Sequence, residues 1–196
     1  PSPPWEYRNK VAIPVIHKGK HTLLAYHRLY KPDEFEVIED CPISHPKIRQ
    51  FISIVAKALH AAKPTLNPQT KKREGAHAVF RAFGDRLYLA LREMEVAPQK
   101  LERMIDRLFE PGNAIDELVL QEEGSNETVT VSRDQDADTN DMPASPEAFL
   151  QINDSIRSKL YDYVVNLPYQ NSRTVLDGYC GSAVLTQNLL TKFTNA

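Results

Sequence analysis

Residues 77–92 read HAVFRAFGDRLYLALR, two β-prone runs on either side of Gly84-Asp85. A glycine and an aspartate between such runs are typical of a tight turn, so the stretch predicts a β-hairpin. The hairpin places antiparallel sheet near the middle of the chain, and the neighbouring segments have to be compatible with it.

The segment before the hairpin predicts further strands and a helix. Two strands are expected at 7–16 and 21–29, around the turn His17-Lys18-Gly19-Lys20, and a third at 34–40. The stretch 44–62 predicts a helix with Ser44 as its N-cap. Its apolar residues recur at helical spacing, namely Ile48, Phe51, Ile52, Val55 and Leu59.

The segment after the hairpin has the same mixed character. A short amphipathic helix is predicted at 98–110, ended by Pro111-Gly112, and strands are predicted at 115–121 and 127–132. An acidic polar break at 134–145 follows. We therefore expect an α+β central domain over residues 1–140 and a second domain over residues 141–196.

The second domain has a different pattern. Ser145-Pro146 is expected to start a long helix, 173–177 to form a short buried strand, 178–181 a loop and 183–193 another helix. The apolar stripe of the long helix contains Phe149, Ile152, Ile156, Leu160, Tyr163 and Leu167. This order predicts the beginning of a Rossmann-like α/β domain.

Composition bounds the class of protein. The chain has 196 residues, 41% of them hydrophobic, and no apolar run approaches the ~20 residues that a membrane-spanning helix needs. Its two cysteines, Cys41 and Cys180, are too few for a disulfide framework. We expect a monomeric cytoplasmic protein with no membrane segment. Since residue 1 is Pro, we do not expect it to be the native terminus.

The charges are segregated along the chain, although the net charge is only −2. Residues 1–31 and 71–92 each contain six Lys or Arg, whereas 115–141 contains nine acidic residues and one Arg. Such segregation permits a basic face for a polyanion, and structured RNA is the expected partner through Arg8, Lys10 and Arg81. An ordinary solvated surface is the alternative.

The residues expected to bind a ligand lie in TVLDGYCGSAVLTQNLL, residues 174–190. Ligands of open α/β sheets bind where a strand ends in a tight turn before a helix. Glycines at such a turn let the backbone approach a ligand, and Asp177 at the strand end can accept hydrogen bonds from it. The pattern by itself is equally compatible with plain turn chemistry.

Four stretches together resemble the RNA (uracil-5-)-methyltransferase family. DGYCGSAVLT at 177–186 resembles its first motif, D-L-[YF]-C-G-x-G-x-[FL]-[ST], and SPEAFLQIN at 145–153 resembles its S-P-x-x-F-x-Q-x-N. PWEYRNKVAIPV at 4–15 resembles its P-x-x-Y-R-N-K segment, and EDCPISHPKI at 39–48 its D-C-x-[IL]-x-x-P stretch. The four matches occur in the order of the family and span most of the chain.

The resemblance implies transfer of a methyl group from S-adenosylmethionine to carbon 5 of a uridine in tRNA or rRNA. In that family a Cys adds to carbon 6 of the ring, which activates carbon 5, and a base later removes the carbon-5 proton. The target base has to leave its stack for this chemistry.

The resemblance also implies roles for individual residues. Gln151 corresponds to the glutamine that contacts S-adenosylmethionine, Tyr179 to the aromatic residue that packs on the adenosyl group, and Asp177 and Gly181 to the acid and glycine of the loop. Cys180 does not correspond to the nucleophile of the family and is expected to be structural. The second glycine of the family motif is replaced here by Ala183, and the leucine after the aspartate by Gly178.

The catalytic Cys and the distal acids of the family have no counterpart in this sequence, so we expect no catalytic residue and no turnover from the chain alone. Cys41 corresponds to the fourth ligand of the iron–sulfur cluster in some members, and a cluster is expected only in a longer parent chain, because one thiolate cannot hold it. Two other functions stay open, a non-catalytic RNA-binding remnant and an unrelated nucleotide-binding α/β protein.

Overall fold

A computed structural model gives the structure of the protein. It describes residues 3–67, 75–84, 86–112, 115–121, 128–133, 151–169, 174–181 and 183–193. The acidic break at 134–145 lies outside these residues, so the domain boundary near residue 140 stays a prediction.

The described strands are β1 Lys10–Lys18, β2 His21–Arg28, β3 Lys31–Val37, β4 Thr65–Leu66, β5 His77–Phe83, β6 Arg86–Arg92, β7 Met94–Glu95, β8 Glu117–Gln121 and β9 Thr128–Ser132. The described helices are α1 Pro46–Ala62, α2 Pro98–Leu108, α3 Asp154–Val165 and α4 Val184–Leu189. A seven-stranded mixed sheet dominates the first 133 residues, in the order β3-β2-β1-β5-β6-β8-β9. A separate two-stranded sheet pairs β4 with β7.

The predicted hairpins are confirmed. In the central hairpin Phe83 pairs with Arg86 and His77 with Arg92, so β5 and β6 are in register along their whole length. Upstream, Lys18 pairs with His21 at the end of the β1–β2 hairpin. Local alternation and turn residues are sufficient to specify these pairs, because hairpin partners are close in sequence.

One pair is parallel, between β6 and β8, with Tyr88 opposite Glu117 and Arg92 opposite Gln121. Parallel neighbours need a crossover connection, and α2 occupies it here. The predicted α2 therefore explains how the chain returns to add β8 beside β6, and β9 then pairs antiparallel with β8.

The main core lies between one face of the sheet and helices α1 and α2. Val11, Ile13 and Val15 alternate along β1 toward this core, as the period of a strand requires. From α1 the core receives Ile48, Phe51, Ile52, Val55, Ala58, Leu59 and Ala62. The face of the sheet away from α1 is called the second face below.

The start of α1 differs from the prediction by one residue. His45, not Ser44, is the N-cap, and its Nδ1 accepts a hydrogen bond from the Lys47 amide at 3.3 Å. Ser44 is buried, and its amide donates to the Cys41 carbonyl in the turn before the helix. Pro46 at the first helical position lacks an amide that would need a partner, which favours initiation there.

The second predicted domain is only partly as expected. The long helix begins at Asp154, with the Asn153 side chain accepting from the Ile156 amide, whereas the expected cap Ser145 lies outside the described residues. The expected buried strand at 173–177 was wrong for its described part: Thr174 forms only an isolated β-bridge, residues 175–177 belong to no strand, and Leu176 is 92% exposed. The described stripe residues of α3 are likewise largely exposed.

Candidate cofactor and RNA site

Asp177 joins the loop to the following helix. Its Oδ2 accepts a hydrogen bond from Thr186 Oγ1 at 2.7 Å, across the loop from 178 to 183. A carboxylate has about four acceptor positions, so this bond leaves capacity for a second donor. The side chain is half-buried, which keeps that capacity at the surface of the loop.

The loop has an unusual backbone. Tyr179, Gly181 and Ala183 all adopt positive φ, at 62°, 55° and 58°. This region suits glycine and costs other residues of the order of 1–3 kcal/mol each. The conformation turns the Tyr179 ring fully into solvent, where a flat ligand can reach it.

Gln151 lies just before α3 and is exposed. Its backbone carbonyl accepts from Asn9 Nδ2 at 3.4 Å, while the same Nδ2 donates to Asp154 Oδ1 at 2.8 Å. The Asn9 amide donates to the Ile152 carbonyl at 2.8 Å. Residues 151–154 are thus fixed to the start of β1, with the amide side chain of Gln151 directed away from the core.

Gln151 and Asp177, the two polar residues expected to share a ligand, have different hydrogen-bond partners. The Gln151 carbonyl accepts from Asn9, and Asp177 accepts from Thr186. Tyr179 and Gly181 lie in the same loop as Asp177. The role of all four residues in binding S-adenosylmethionine stays a prediction.

The expected RNA-binding cations differ in their exposure. Arg8 is half-buried, and its Nε donates to the Lys10 carbonyl at 3.1 Å. Burial lowers the pKa of Lys10, and the nearby charges of Arg81 and Arg92 lower it further. Arg81 is only 1% exposed, so its position in the described chain does not offer its guanidinium to a surface ligand.

Arg81, which is itself buried, belongs to a cluster of charges on the second face of the sheet. Burial and the neighbouring Arg157 lower its pKa, whereas the charge of Asp154 opposes that effect. Arg157 lies over the Phe83 ring, with 5.8 Å between the guanidinium carbon and the ring centre, and bonds Asp154 at 2.9 Å. The start of α3 is therefore attached to β5 through the contact of Arg157 with Phe83, in addition to its amide contacts with Asn9 before β1.

Arg49 is a residue that the sequence reasoning missed. Its guanidinium holds Asp40 through two bonds of 2.8 and 2.7 Å and Glu6 through one of 2.7 Å. The Arg49 bonds lower the pKa of Asp40, and those carboxylates raise the pKa of Arg49. Glu6 and Arg49 are 43 positions apart, so no local sequence pattern could indicate that Arg49 binds these carboxylates.

Cys41 is half-buried and carries a free thiol, and Cys180 is exposed in the loop. Over the described ranges no group of three or more His, Cys, Asp or Glu is placed to hold a metal ion. The suggestion that Cys41 is a single ligand of a cluster in a longer chain stays a prediction. None of the helices in the described parts combines the length and apolar character needed to cross a membrane.

The fold is similar to a solved methyltransferase structure. The superposition on the Pyrococcus abyssi tRNA (uracil-54, C5)-methyltransferase, in complex with S-adenosyl-L-homocysteine, has a TM-score of 0.59 at 16% sequence identity. It covers 97% of this chain and 48% of that enzyme, so this chain spans about half its length. No protein-family model and no curated protein sequence matches the chain.

At 16% identity the comparison shows the fold alone. The mixed sheet with its few helices has a counterpart within a methyltransferase structure, in agreement with the expected fold class at the coarse level.

Proposed function

We propose that this chain is part of an S-adenosylmethionine-dependent enzyme that methylates carbon 5 of a uridine in tRNA or rRNA. The observation that carries the proposal is the superposition of 97% of the chain on a tRNA uracil-C5 methyltransferase structure. The four sequence stretches that resemble this class of enzyme point to the same function from an independent direction.

The loop from Asp177 to Ala183 has features that fit S-adenosylmethionine. Tyr179 presents a fully exposed ring for stacking on an adenine, and Asp177 retains acceptor capacity for a ribose hydroxyl or an ammonium group. Gly181 adopts positive φ, and because glycine has no side chain a ligand can approach the loop backbone closely there. Gln151 adds an exposed amide near the start of α3. The cofactor would supply the methyl group.

The α+β domain would hold the RNA. Arg8 and Lys10 lie at the start of β1, and Lys18 and Lys20 are exposed at its other end, so a phosphate backbone can meet cations along this strand. Neither Cys41 nor Cys180 is proposed as the nucleophile, because one lies before α1 and the other in the cofactor loop. The chain by itself therefore contributes binding rather than turnover.

Titration of the chain with S-adenosylhomocysteine tests the cofactor part of the proposal. We expect submillimolar affinity at best, equivalent to about 4–5 kcal/mol. Asp177→Ala should weaken it by roughly 1–3 kcal/mol, because a buried polar group of the ligand loses its partner. Asp162→Ala, an exposed acid on α3, is the matched control. Equal binding by wild type and Asp177→Ala would contradict the assignment of the loop.

Tritium release from [5-³H]uridine-labelled tRNA tests the reaction, because substitution at carbon 5 expels the label. We expect no release with the chain alone. Release by the chain that persists in Cys180→Ala would contradict the absence of a nucleophile. Binding of RNA without any binding of S-adenosylhomocysteine would favour the non-catalytic RNA-binding alternative.

A further inference from the structure

The second face of the sheet contains a cavity of about 540 Å³. It is far from the loop at 177–183 in the sequence and has a different chemistry. Ala12, Pro14 and Ile16 of β1 form part of its lining, together with His27, Phe35 and His77. Small apolar side chains and flat rings thus line the same cavity, which is called the slot below.

The strand registers explain why these residues meet. Val11, Ile13 and Val15 point into the core, so the intervening residues of β1 point to the second face. His77 is opposite Pro14 across the β1–β5 pair. The cavity is therefore built on rigid paired strands rather than on loops alone.

The aromatic wall is a cross-strand pair. His27 of β2 is opposite Phe35 of β3, with ring centres 4.6 Å apart and ring planes 41° apart. Phe35 is 39% exposed and His27 is exposed as well, so the pair presents ring surface to solvent instead of filling a core. Exposed aromatic side chains on a sheet surface are a common platform for unstacked bases of single-stranded RNA.

Polar groups at the rim can form hydrogen bonds with the edge of a base. A hydrogen bond of 2.8 Å between His77 Nδ1 and the Gly75 carbonyl orients that imidazole. Asn67 lines the same cavity, and an amide side chain both donates and accepts. Rings for stacking and a few oriented polar groups are the combination that a nucleobase requires.

The electrostatics of this face suit a phosphate chain. Arg92 is opposite His77 across the β5–β6 pair, and Lys10 is opposite Arg81 on the same face. Burial lowers the pKa of Lys10, and the charges of Arg81 and Arg92 lower it further. Lys10 and Arg92 are half-buried and border the strip of sheet that leads to the cavity. A nucleotide in the slot would have its phosphates next to this positive charge.

We propose that this cavity binds one unstacked base of single-stranded RNA, with Phe35 and His27 as the stacking surface and with Lys10 and Arg92 toward the adjoining phosphates. The proposal rests on the proposed function as an RNA-modifying protein and adds a second nucleotide site, separate from the cofactor loop. In this proposal the sheet itself binds an unpaired region of the RNA.

The test uses the full 196-residue chain and a fluorescein-labelled single-stranded RNA of mixed sequence, with binding measured by fluorescence anisotropy. Phe35→Ala should weaken binding by roughly 5–150-fold, the range for loss of one stacked base. Phe35→Tyr retains a ring and should bind within a fewfold of wild type. Tyr163→Ala removes an exposed ring from α3 and should leave the affinity unchanged.

A second readout reports stacking itself. A 2-aminopurine base in the same RNA should be quenched on binding to wild type and to Phe35→Tyr, but should stay bright with Phe35→Ala at saturating protein. Circular dichroism melting confirms that the exposed Phe35 is replaced without unfolding the chain.

The outcomes separate this inference from the proposed function. RNA binding that is equally tight in wild type and Phe35→Ala would overturn the stacking site while leaving a role in RNA modification intact. Equal affinity for a blunt RNA duplex and the single strand would also overturn it, because a paired base cannot enter the slot. Absence of any RNA binding by the wild-type chain would overturn both.

Discussion

At the scale of single residues, backbone conformation identifies positions that the sequence alone leaves ambiguous. The resemblance already marks 183 as a position where glycine is usual, and the structure supplies the reason: Ala183 has φ of 58° as the residue before α4. Its amide donates to the Cys180 carbonyl at 2.9 Å, so the strained residue also closes the loop. An alanine at this position therefore lowers the stability of the loop.

Replacing this residue tests that explanation. Ala183→Gly should stabilise the loop and the start of α4 by about 1 kcal/mol, because glycine adopts positive φ without a Cβ clash. Amide hydrogen exchange of residues 184–189 measures the effect, and the protection of these amides should increase. Ala62→Gly, within the buried side of α1, should destabilise the protein instead. Lower protection of α4 in Ala183→Gly would contradict the assignment of strain.

At the scale of elements, the sequence predicts those whose partners are close along the chain. The β5–β6 hairpin and α1 follow from alternation, turn residues and helical spacing within one segment. The parallel β6–β8 pair is a different case, since its register depends on the path of α2 and has no local signature. The expected buried strand at 173–177 failed because an apolar run specifies burial only when other elements cover it. The residues around the candidate site follow the same rule. Motif spacing identified Asp177, whereas the contacts of Asn9 and Arg49 join positions far apart in the sequence and have no local pattern.

The contacts of Arg49 connect α1 with the segments before β1 and after β3, and their effect should depend on pH. The guanidinium lowers the pKa of Asp40, so ionised Asp40 stabilises the folded chain above its unfolded pKa of about 3.9. This contribution is lost as the pH falls through the lower folded-state value. Arg49→Met should therefore reduce Tm at about pH 7, and the difference from wild type should shrink below about pH 4.

Thermal melts by circular dichroism between about pH 7 and about pH 3 measure this dependence. Arg28→Met is a matched control, since its guanidinium bonds Glu34 and Glu36 on the β2–β3 hairpin and not Asp40. A difference in Tm between Arg49→Met and wild type that is the same at every pH would show that Arg49 acts by packing and not through the carboxylate.

At the scale of the whole molecule, the two parts of the chain differ in how they are held together. The sheet and α1 share a large buried core, whereas α3 buries none of its own side chains. The described attachment of α3 to the sheet consists mainly of polar contacts, with Asn9 at their centre. Asn9 is itself buried next to β1, and its side chain connects the sheet with the segment that contains Gln151.

Asn9→Ala tests whether that connection is what keeps the two parts together. The variant removes the Asn9 donor from the Gln151 carbonyl and from Asp154, which keeps its ion pair with Arg157. The attachment should weaken by roughly 1–3 kcal/mol. Because α3 lacks a buried face, we expect its amides to lose hydrogen-exchange protection while the protection of β5 and β6 changes little. Asn67→Ala removes an amide from the β4–β7 side and should leave α3 as it is. If protection of α3 and of the central strands fell equally in Asn9→Ala, the chain would unfold as one cooperative unit, and Asn9 would support the whole sheet rather than join two parts.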